Sequence, residues 1–399
     1  MVRQQYQCPD EFDDVEDVER YRPGGFHPIY IGDMIGDNYR VLHKLGCGGF
    51  STVWLARDIR DNQLYAIKVL AVDAPKDELN IYHHLMNSGG THPNISNLYA
   101  QFTIQGPNGS HQCLVLSVLG PSIEKIQHSG FAVELKRAVA KQIACGLAHL
   151  HKAGVCHGDL THANVLFGLR DVSRWSDSEV YQHLGAPNTA QLLRLNGSLP
   201  PPWAPKYIVE AIQFKDIDPD LLSGNICIVD FGISFLVDRP PSDIFGIPLS
   251  FMAPELCFGA PRSPSNDVWA MGCLIFELYT GRVLFPIIFD RLDILVGTIV
   301  NTLGQLPSHW EGHFVYQADR VFEPGQKDFW FDPSFEPGKP LETIAVKCPQ
   351  PHRRFLLELL TDLLRLDPSN RPTAAETASH PLLSAGDSID QGSNSSPLS

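Results

Sequence analysis

The sequence lacks the cysteine spacing of a zinc site or a disulfide scaffold. Its nine cysteines are scattered over 399 residues, their number is odd, and no C-x-x-C pair occurs. Such spacing is typical of reduced, mostly buried thiols. The cysteines therefore predict a protein of a reducing compartment, the cytoplasm or the nucleus or both.

Long hydrophobic runs are also missing. The most apolar stretch, "DVWAMGCLIFELYTG", is too short to cross a bilayer and contains Glu277. The N-terminal stretch "MVRQQYQCPDEFDDVEDVER" is acidic and lacks the apolar segment of a signal peptide. We therefore expect a soluble protein that makes no contact with a membrane.

Positive charge is in deficit, with 31 Lys and Arg against 45 Asp and Glu and a net charge of -14. This deficit argues against direct binding to nucleic acid and favours basic partners. The hydrophobic share of 43% and the aromatic share of 10% are those of a globular protein. The length suffices for one large domain or for two lobes with cores of their own.

Strand and helix signals follow one another along the chain. Residues 1–38 form an acidic lead-in with Gly and Pro, which we expect to pack only partly, and residues 385–399 predict a disordered tail. From Tyr39, short β-rich runs separated by turn residues predict an antiparallel sheet. From about residue 130, apolar residues at three- and four-residue intervals predict helices. The pattern predicts an α+β protein with a small β lobe and a larger helical lobe.

A glycine-rich turn lies between the first two predicted strands. The stretch "LGCGGFSTVWLARD" contains Gly46, Gly48 and Gly49 and continues into a strand, whereas a dinucleotide-binding loop leads into a helix. Glycines let backbone N–H groups approach phosphates closely. A plain β-hairpin is the alternative for this stretch taken alone.

A lysine and three polar residues further along the chain add to this pattern. Lys68 lies in a run suited to burial and needs an anion, which Glu78 could provide, although a lysine at the surface is the alternative. The loop "CHGDLTHANVLFG" holds Asp159 and Asn164, and "CIVDFGISF" places Asp230 at the end of an apolar strand. Carboxylate and amide oxygens bind Mg²⁺, and a further carboxylate can orient a hydroxyl group. Each residue alone could be a cap or a turn residue, but their order is hard to obtain by chance.

In that order the motifs resemble those of eukaryotic protein kinases, over roughly residues 39–384. The matching stretches are "GCGGFSTV", "YAIK", "HGDLTHAN", "DFG" and "MAPE". The stretch "SNDVWAMGCLIFELYTGRVLF" resembles the long buried helix of the family's large lobe, and Arg371 matches an arginine that pairs with Glu255. The lead-in "GGFHPIYIGD" and the run "GGFSTVWL" are similar to SR-protein kinases and their fungal relatives, which phosphorylate serines in arginine/serine-rich segments.

The resemblance implies a bilobal protein kinase fold. The small lobe would span residues 39–116 with a five-stranded antiparallel sheet and one main helix, the hinge 117–119, and the large lobe 120–384. A spacer insertion at about 168–224, rich in Pro and acidic residues, would be a surface excursion. ATP would lie between the lobes.

The resemblance also implies roles for single residues. Lys68, held by Glu78, would contact the α- and β-phosphates of ATP. Asn164 and Asp230 would hold Mg²⁺, and Asp159 would orient the substrate hydroxyl. The residues implied in ATP binding are Leu45, Gly46, Cys47, Gly48, Gly49, Phe50, Ser51, Val53, Ala66, Lys68, Ser117 and Leu119.

The implied activity is that of a serine/threonine protein kinase, a transferase that moves the γ-phosphate of ATP to protein Ser/Thr hydroxyls. The resemblance favours Arg/Ser-rich substrates of the splicing-factor type, a role in mRNA processing, and a monomer. An acidic protein that acts on arginine-rich segments is electrostatically sensible.

The loop "CHGDLTHANVLFG", which matches the catalytic loop of the family, departs from the family pattern at two positions. Gly158 replaces a frequent arginine that binds a phosphate on the activation segment. We therefore predict activity that does not depend on such a phosphate and is unchanged in alanine variants of Ser234, Ser242 and Ser250. Thr161 replaces a lysine, and Pro248 replaces a threonine of the same network. Losing one preorganised donor of this kind costs about 2.7–4 kcal/mol of transition-state stabilisation.

These departures leave two alternatives. One is a pseudokinase, an ATP-binding scaffold with little transfer activity. The other is a small-molecule kinase, since "HGDLTHAN" also resembles the loop of aminoglycoside and choline kinases, which work without that lysine. The D-F-G and A-P-E stretches and Arg371 argue against the second alternative. His149, His151, His157 and His162 are better explained as structural residues than as zinc ligands.

Overall fold

The computed structural model describes most of the chain. The predicted tail, residues 385–399, lies outside the described residues. Those residues are 5–7, 12–126, 131–170, 172–214, 217–242, 246–288, 291–310, 314, 338, 340–345, 348 and 352–384.

The chain divides into two compact units. Unit 1 comprises residues 1–82, 95–126 and 166–227, and unit 2 comprises the rest. The predicted lobe boundaries differ from this division, because the lead-in and most of the spacer group with the small β lobe.

Most strands belong to unit 1. The strands are β1 Tyr6–Gln7, β2 Met34–Ile35, β3 Tyr39–Gly48, β4 Ser51–Asp58, β5 Leu64–Leu70, β6 Leu98–Gly106, β7 Gly109–Leu116, β8 Leu119–Ser122, β9 Val155–Cys156, β10 Val165–Leu169, β11 Thr189–Gln191, β12 Leu193–Arg194, β13 Tyr207–Val209, β14 Leu222–Ile228 and β15 Phe235–Leu236.

The longer helices belong mainly to unit 2. The helices are α1 Asp77–Ser88, α2 Ile123–Ile126, α3 Val133–Lys152, α4 Asp177–Leu184, α5 Pro264–Thr280, α6 Leu292–Leu303, α7 Leu341–Ile344, α8 His352–Leu363, α9 Ala374–Ala378 and α10 Pro381–Ser384.

The main sheet of unit 1 has six strands in the described residues, in the order β2-β3-β4-β5-β7-β6, and all neighbours are antiparallel. The expected number of five was wrong. The additional strand, β2, comes from the lead-in, where Met34 and Ile35 pair with the start of β3.

Strand alternation gives the sheet two different faces. Trp54 and Ile67 pair across β4 and β5 and lie in an apolar core cluster. Val53 and Lys68 pair one residue further along, so their side chains point to the opposite face. Ala66 shares that second face because it lies two residues before Lys68.

The lead-in packs far more than expected. Val18, Tyr21 and Phe26 are buried in one core cluster of unit 1, and Ile29 and Ile35 are buried in another. Burying large apolar side chains is favourable by about 1.5–3 kcal/mol each. The sequence did not predict this packing, because the buried apolar residues are spaced irregularly among charged residues.

The spacer is also part of unit 1 and packs on its other segments rather than forming a surface excursion. Its helix α4 begins with a capping box formed by Ser176 and Glu179 and buries Val180 completely. Asp177 accepts a 2.7 Å hydrogen bond from the guanidinium of Arg57 on β4. Further along the spacer, buried apolar side chains join the core that the lead-in forms, namely Leu192, Ala204 and Ile208.

Unit 2 is organised around the buried helix α5. Seventeen residues long, α5 starts at a Ser263 capping box and ends at Gly281 in the left-handed conformation. The predicted pairing of Arg371 is confirmed, since its guanidinium makes two 2.7 Å hydrogen bonds to the Glu255 carboxylate. Within the residues that the structure describes, no helix combines the length and the hydropathy that a membrane span requires.

Candidate active site

The predicted site residues fall into two groups, one in each unit. Unit 1 holds the glycine-rich loop, Lys68 and Glu78 together with the residues expected around the adenine. Unit 2 holds Asp159, Asn164 and Asp230.

The glycine-rich loop connects β3 and β4 through a two-residue turn at Gly49 and Phe50. A two-residue hairpin turn normally needs a positive φ, but Gly46, Gly48 and Gly49 do not adopt one. A Cβ atom placed on any of the three would meet nothing within 4 Å. Neither a positive φ nor packing against described residues therefore requires glycine at these three positions.

Lys68 and Glu78 form the predicted ion pair. Nζ of Lys68 on β5 lies 2.7 Å from Oε1 of Glu78 in the first turn of α1. Both side chains are buried, which makes the ammonium costly unless a carboxylate accompanies it. The pair holds the lysine on the same face of the sheet as Val53 and Ala66.

The residues expected around the adenine lie on neighbouring strands of unit 1. Leu45 is half-buried on β3, and Ala66 pairs with Leu116 at the end of β7. Ser117 follows that strand, and its hydroxyl lies 3.5 Å from the hydroxyl of Tyr99. Leu119 begins β8. Val53 lies on β4, between the strands of Leu45 and Ala66, so the residues expected around the adenine occupy neighbouring positions of unit 1.

The catalytic loop is built on His157. This residue is buried, its ring contacts the carbonyl of Val229 at 3.0 Å, and its Nδ1 accepts the backbone N–H of Asp159 at 3.2 Å. Nδ2 of Asn164 donates to the carbonyl and to Oδ2 of Asp159, at 2.9 and 2.8 Å. The loop therefore holds the Asp159 carboxylate in one orientation.

Asp230 lies beside this loop in unit 2. The adjacent Val229 donates its backbone N–H to the carbonyl of Asn164 at 3.0 Å. Asp230 has a φ of 66°, which is strained for a residue with a side chain, and its carboxylate is exposed. Since the Asn164 amide nitrogen is committed to Asp159, its amide oxygen and the Asp230 carboxylate are the hard oxygen donors that suit Mg²⁺.

The environment of Asp159 shifts its protonation equilibrium. Burial raises the pKa of Asp159 to about 6, His157 opposes this shift, and the negative charge of Asp230 adds to it. Hydrogen bonding from Asn164 and the positive charge of Arg262 lower the pKa as well. The carboxyl group is thus largely ionised at neutral pH and is more basic than an ordinary aspartate.

Sequence reasoning missed Asp267, which lies in the first turn of α5 and fixes the backbone of the catalytic loop. Its carboxylate accepts the backbone N–H groups of His157 and Gly158, both at 2.8 Å, and contacts the ring of His151 at 2.9 Å. The available signal was an acidic residue at the start of the apolar stretch of α5, because a buried carboxylate requires donors.

Arg262 was missed as well, and it explains Gly158. Nη2 of Arg262 donates to the carbonyl of Gly158 at 3.0 Å, and the guanidinium lies 4.9 Å from the ring centre of Phe235. Gly158 has a φ of +81°, and a Cβ there would come within 2.5 Å of Nη2 of Arg262. A guanidinium from the segment before α5 thus lies where a side chain at position 158 would begin.

The other two departures share one cavity in unit 2. Thr161 and Pro248 both line this cavity together with Asp159 and Arg262. The two positions predicted to replace members of one network thus line the same cavity. Arg262 contributes positive charge on this side of Asp159.

Ser234 is a structural residue rather than an exposed phosphate acceptor. Its side chain is buried, and its hydroxyl donates a 2.6 Å hydrogen bond to the carbonyl of His157. Ser242 is exposed and Ser250 is half-buried, so these two serines remain the positions that test dependence on phosphorylation.

The histidines near the catalytic loop have separate structural partners. His149 stacks on His92 with 4.8 Å between ring centres, His151 contacts Asp267, and His162 lies 3.2 Å from the Glu277 carboxylate. Over the part of the chain that the structure describes, no three His, Cys, Asp or Glu side chains form a metal-binding group.

Comparison with known proteins gives one family. Residues 39–189 and 209–383, most of the chain, match the family described as Protein kinase domain. The unmatched residues 190–208 lie in the spacer. The crystal structure of a kinase domain covers 89% of this chain and 98% of its own, with a TM-score of 0.64 and 20% identity, which supports the fold alone.

Two curated relatives narrow the resemblance. Serine/threonine-protein kinase SRPK of Physarum polycephalum is 26% identical over 92% of this chain and 91% of its own length. SRSF protein kinase 3 of Homo sapiens is 35% identical, but the match covers 43% of this chain and 33% of the relative. The predicted kinase fold and the likeness to SR-protein kinases are thereby confirmed.

Proposed function

We propose, since the chain belongs to the protein kinase family, that it is a serine/threonine protein kinase that transfers the γ-phosphate of ATP to protein hydroxyl groups. The observation that carries the proposal is the Asp159 carboxylate. Asn164 fixes its Oδ2, while Oδ1 is buried and has no hydrogen-bond partner among the described residues. A buried acceptor without a partner is costly unless a ligand brings a donor, and a substrate hydroxyl is such a donor.

The residues of unit 2 support a role in positioning and proton transfer. Asp159 would orient the hydroxyl and accept its proton, for which the raised pKa suits it. Asn164 and Asp230 would hold Mg²⁺. ATP would supply the phosphoryl group, and bound Mg²⁺ would neutralise the negative charge on its phosphates.

The residues of unit 1 support nucleotide binding. Lys68 would contact the α- and β-phosphates, and Glu78 keeps its ammonium in place. The backbone of residues 46–51 would surround the phosphates, and the apolar side chains with the backbone of 117–119 would bind the adenine.

For the substrate we propose Arg/Ser-rich protein segments of the splicing-factor type. The name of the human relative and the net charge of -14 both support this choice. Such substrates would place the protein in mRNA processing, in the cytoplasm or the nucleus. We further propose that it acts as a monomer.

The test is transfer of labelled phosphate from MgATP to an Arg/Ser peptide. We expect Asp159→Asn to lower the rate by about 10²–10⁴-fold, the usual contribution of a positioned base. The matched control is Asp238→Asn, because the Asp238 side chain is 72% exposed, and it should keep the wild-type rate.

Two results would contradict the proposal. Nucleotide binding without transfer, unchanged by Asp159→Asn, would identify a nucleotide-binding scaffold. Phosphate on choline or an aminoglycoside but not on peptides would identify a small-molecule kinase.

A further inference from the structure

The lead-in contacts the glycine-rich loop directly through Arg20. Nη1 of Arg20 donates to the carbonyl of Gly49 at 2.5 Å, and the guanidinium lies 4.9 Å from the ring centre of Phe50. The other terminal nitrogen binds the carboxylate of Asp73, which follows β5. One side chain thus joins the turn of the loop to the end of the neighbouring strand.

The backbone around Arg20 is itself fixed. Arg20 ends a short 3₁₀ helix that Asp17 caps, and its carbonyl accepts the N–H of Phe26 at 3.0 Å. A Cβ on Gly25 would lie 1.9 Å from the carbonyl oxygen of Arg20, so only glycine fits there. Gly24 in turn accepts the N–H of Asp73 at 2.9 Å. These backbone contacts therefore keep Arg20 next to Asp73, the residue whose carboxylate it binds.

A second contact lies at the other side of the loop. Sγ of Cys47 donates to Oδ1 of Asp14 at 3.7 Å. Nζ of Lys125 donates to Oδ2 of the same carboxylate at 2.8 Å, and Ala211 donates its N–H to the carbonyl of Asp14 at 3.0 Å. The lead-in therefore contacts residues 46–51 at two points, one at the turn and one at Cys47 on β3.

The contact at Gly49 has a consequence for phosphate binding. A peptide unit is planar and trans, so its C=O and the following N–H point in opposite directions. Because Arg20 holds the carbonyl of Gly49, the N–H of Phe50 points away from the lead-in. Backbone N–H groups are what a glycine-rich loop offers to phosphates. Glycines give the loop freedom that must be lost when a ligand binds, unless the protein has already removed it.

We propose that the lead-in holds the glycine-rich loop in its phosphate-binding conformation, with Arg20 as the positioning residue. This inference rests on the nucleotide-binding role proposed above. Arg20 does not touch the nucleotide, and it acts through the carbonyl of Gly49.

The test compares Arg20→Met with Arg22→Met. Methionine keeps most of the apolar stem and removes the guanidinium. Arg22 contacts the same Asp73 at 3.3 Å, but its side chain is 52% exposed and no contact joins it to the loop among the described residues. Comparing the two variants separates the effect of losing the loop contact from the effect of losing a positive charge near Asp73.

Two readouts are needed. Hydrogen–deuterium exchange of the amides of residues 47–51, without nucleotide, reports the loop by itself. The ratio of the MgATP and adenosine dissociation constants reports the phosphate end of the nucleotide, because adenosine has no phosphate to contact the loop.

We expect Arg20→Met to speed exchange of the loop amides and to raise the MgATP dissociation constant about tenfold, or 1.4 kcal/mol. Adenosine affinity and the thermal unfolding midpoint should stay at wild-type values. Arg20→Lys should recover part of the loss, and Arg22→Met should match the wild type.

Wild-type exchange in Arg20→Met would overturn the inference, as would an equal loss of MgATP and adenosine affinity. If the wild type binds no MgATP at all, the proposed function fails instead. The exchange measurement still decides, in that case, whether the lead-in holds the loop.

Discussion

Gly158 and Arg262 share a space that only one side chain can fill. The φ of +81° at Gly158 and the 2.5 Å approach of Nη2 of Arg262 both exclude a Cβ atom there. A positive φ costs a residue with a side chain on the order of 1–3 kcal/mol. The glycine that departs from the family pattern is therefore required by a cation brought from another part of the chain.

Gly158→Ala should lower both stability and turnover. We expect a loss of about 1–3 kcal/mol in the free energy of unfolding, together with slower peptide phosphorylation because Arg262 and the loop must move. Urea-induced unfolding and a steady-state kinase assay measure the two effects.

Gly154→Ala provides the matched control for this change. Gly154 has a φ of +75°, but a Cβ there would meet nothing within 4 Å. It should cost similar backbone strain and leave turnover unchanged. Equal turnover in the two variants would show that the Arg262 contact has no effect on the catalytic loop.

The serines of the activation segment should behave differently from one another. Ser242→Ala and Ser250→Ala should keep wild-type turnover if activity needs no phosphate there. Ser234→Ala removes a buried donor from the His157 carbonyl, and such a loss costs about 1–3 kcal/mol. The structure thus revises the sequence prediction for Ser234, and we expect reduced turnover in this variant alone, measured with the peptide assay. A large loss in Ser242→Ala or Ser250→Ala would contradict independence from phosphorylation.

At the scale of elements, the lead-in and the spacer complete unit 1. The strands β1 and β12 pair with each other, which joins the beginning of the chain to the spacer. Helix α4 lies against β3 and β4 through Asp177, which binds both Arg40 and Arg57. The kinase sheet is thus covered by segments that lie before it and well after it in sequence.

Val180→Ala should destabilise the protein if α4 is part of the core. Val180 is fully buried, and removing two methyl groups from such a position costs about 2 kcal/mol. Urea-induced unfolding should therefore show a lower midpoint. Gln182→Ala, on the exposed side of the same helix, should have no such effect. Equal midpoints for the two variants would mean that α4 adds nothing to the core.

At the scale of the whole molecule, buried histidines couple stability to pH. Burial lowers the pKa of His27 to about 4, and the neighbouring His111 adds to this shift. The two rings lie 4.9 Å apart, and burial lowers the pKa of His111 too, although its contact with the Leu70 carbonyl opposes the shift. The folded protein therefore keeps His27 neutral at pH values where the unfolded chain takes up a proton.

The free energy of unfolding should fall as the pH decreases from about 7 to 5. The folded-state pKa of His27 lies below its unfolded value, so its contribution is complete above about pH 6.5 and is lost as the pH falls towards 4. From pH 7 to 5 the loss from this residue is about 2 kcal/mol. Urea unfolding at both pH values measures it, and His27→Gln should show a smaller loss. The same pH dependence in both proteins would exclude His27 as the source.

The order of the motifs and two of their contacts followed from the sequence. Lys68 needed a carboxylate and Glu78 was near, and Arg371 matched an arginine that pairs with Glu255; both pairs are present. Such inferences work because each residue type carries its own chemical requirement. A buried lysine needs an anion wherever the chain places it.

The tertiary structure alone decided which distant segments meet these residues. Arg262 is 104 residues from Gly158, and Arg20 is 29 residues from Gly49, so no local pattern announces either contact. The burial of the lead-in and the spacer was equally hidden, because their apolar residues follow no regular period. The sequence determined the chemistry of each position, since that belongs to the side chain; the fold decided the partners, since packing joins residues without regard to their distance along the chain.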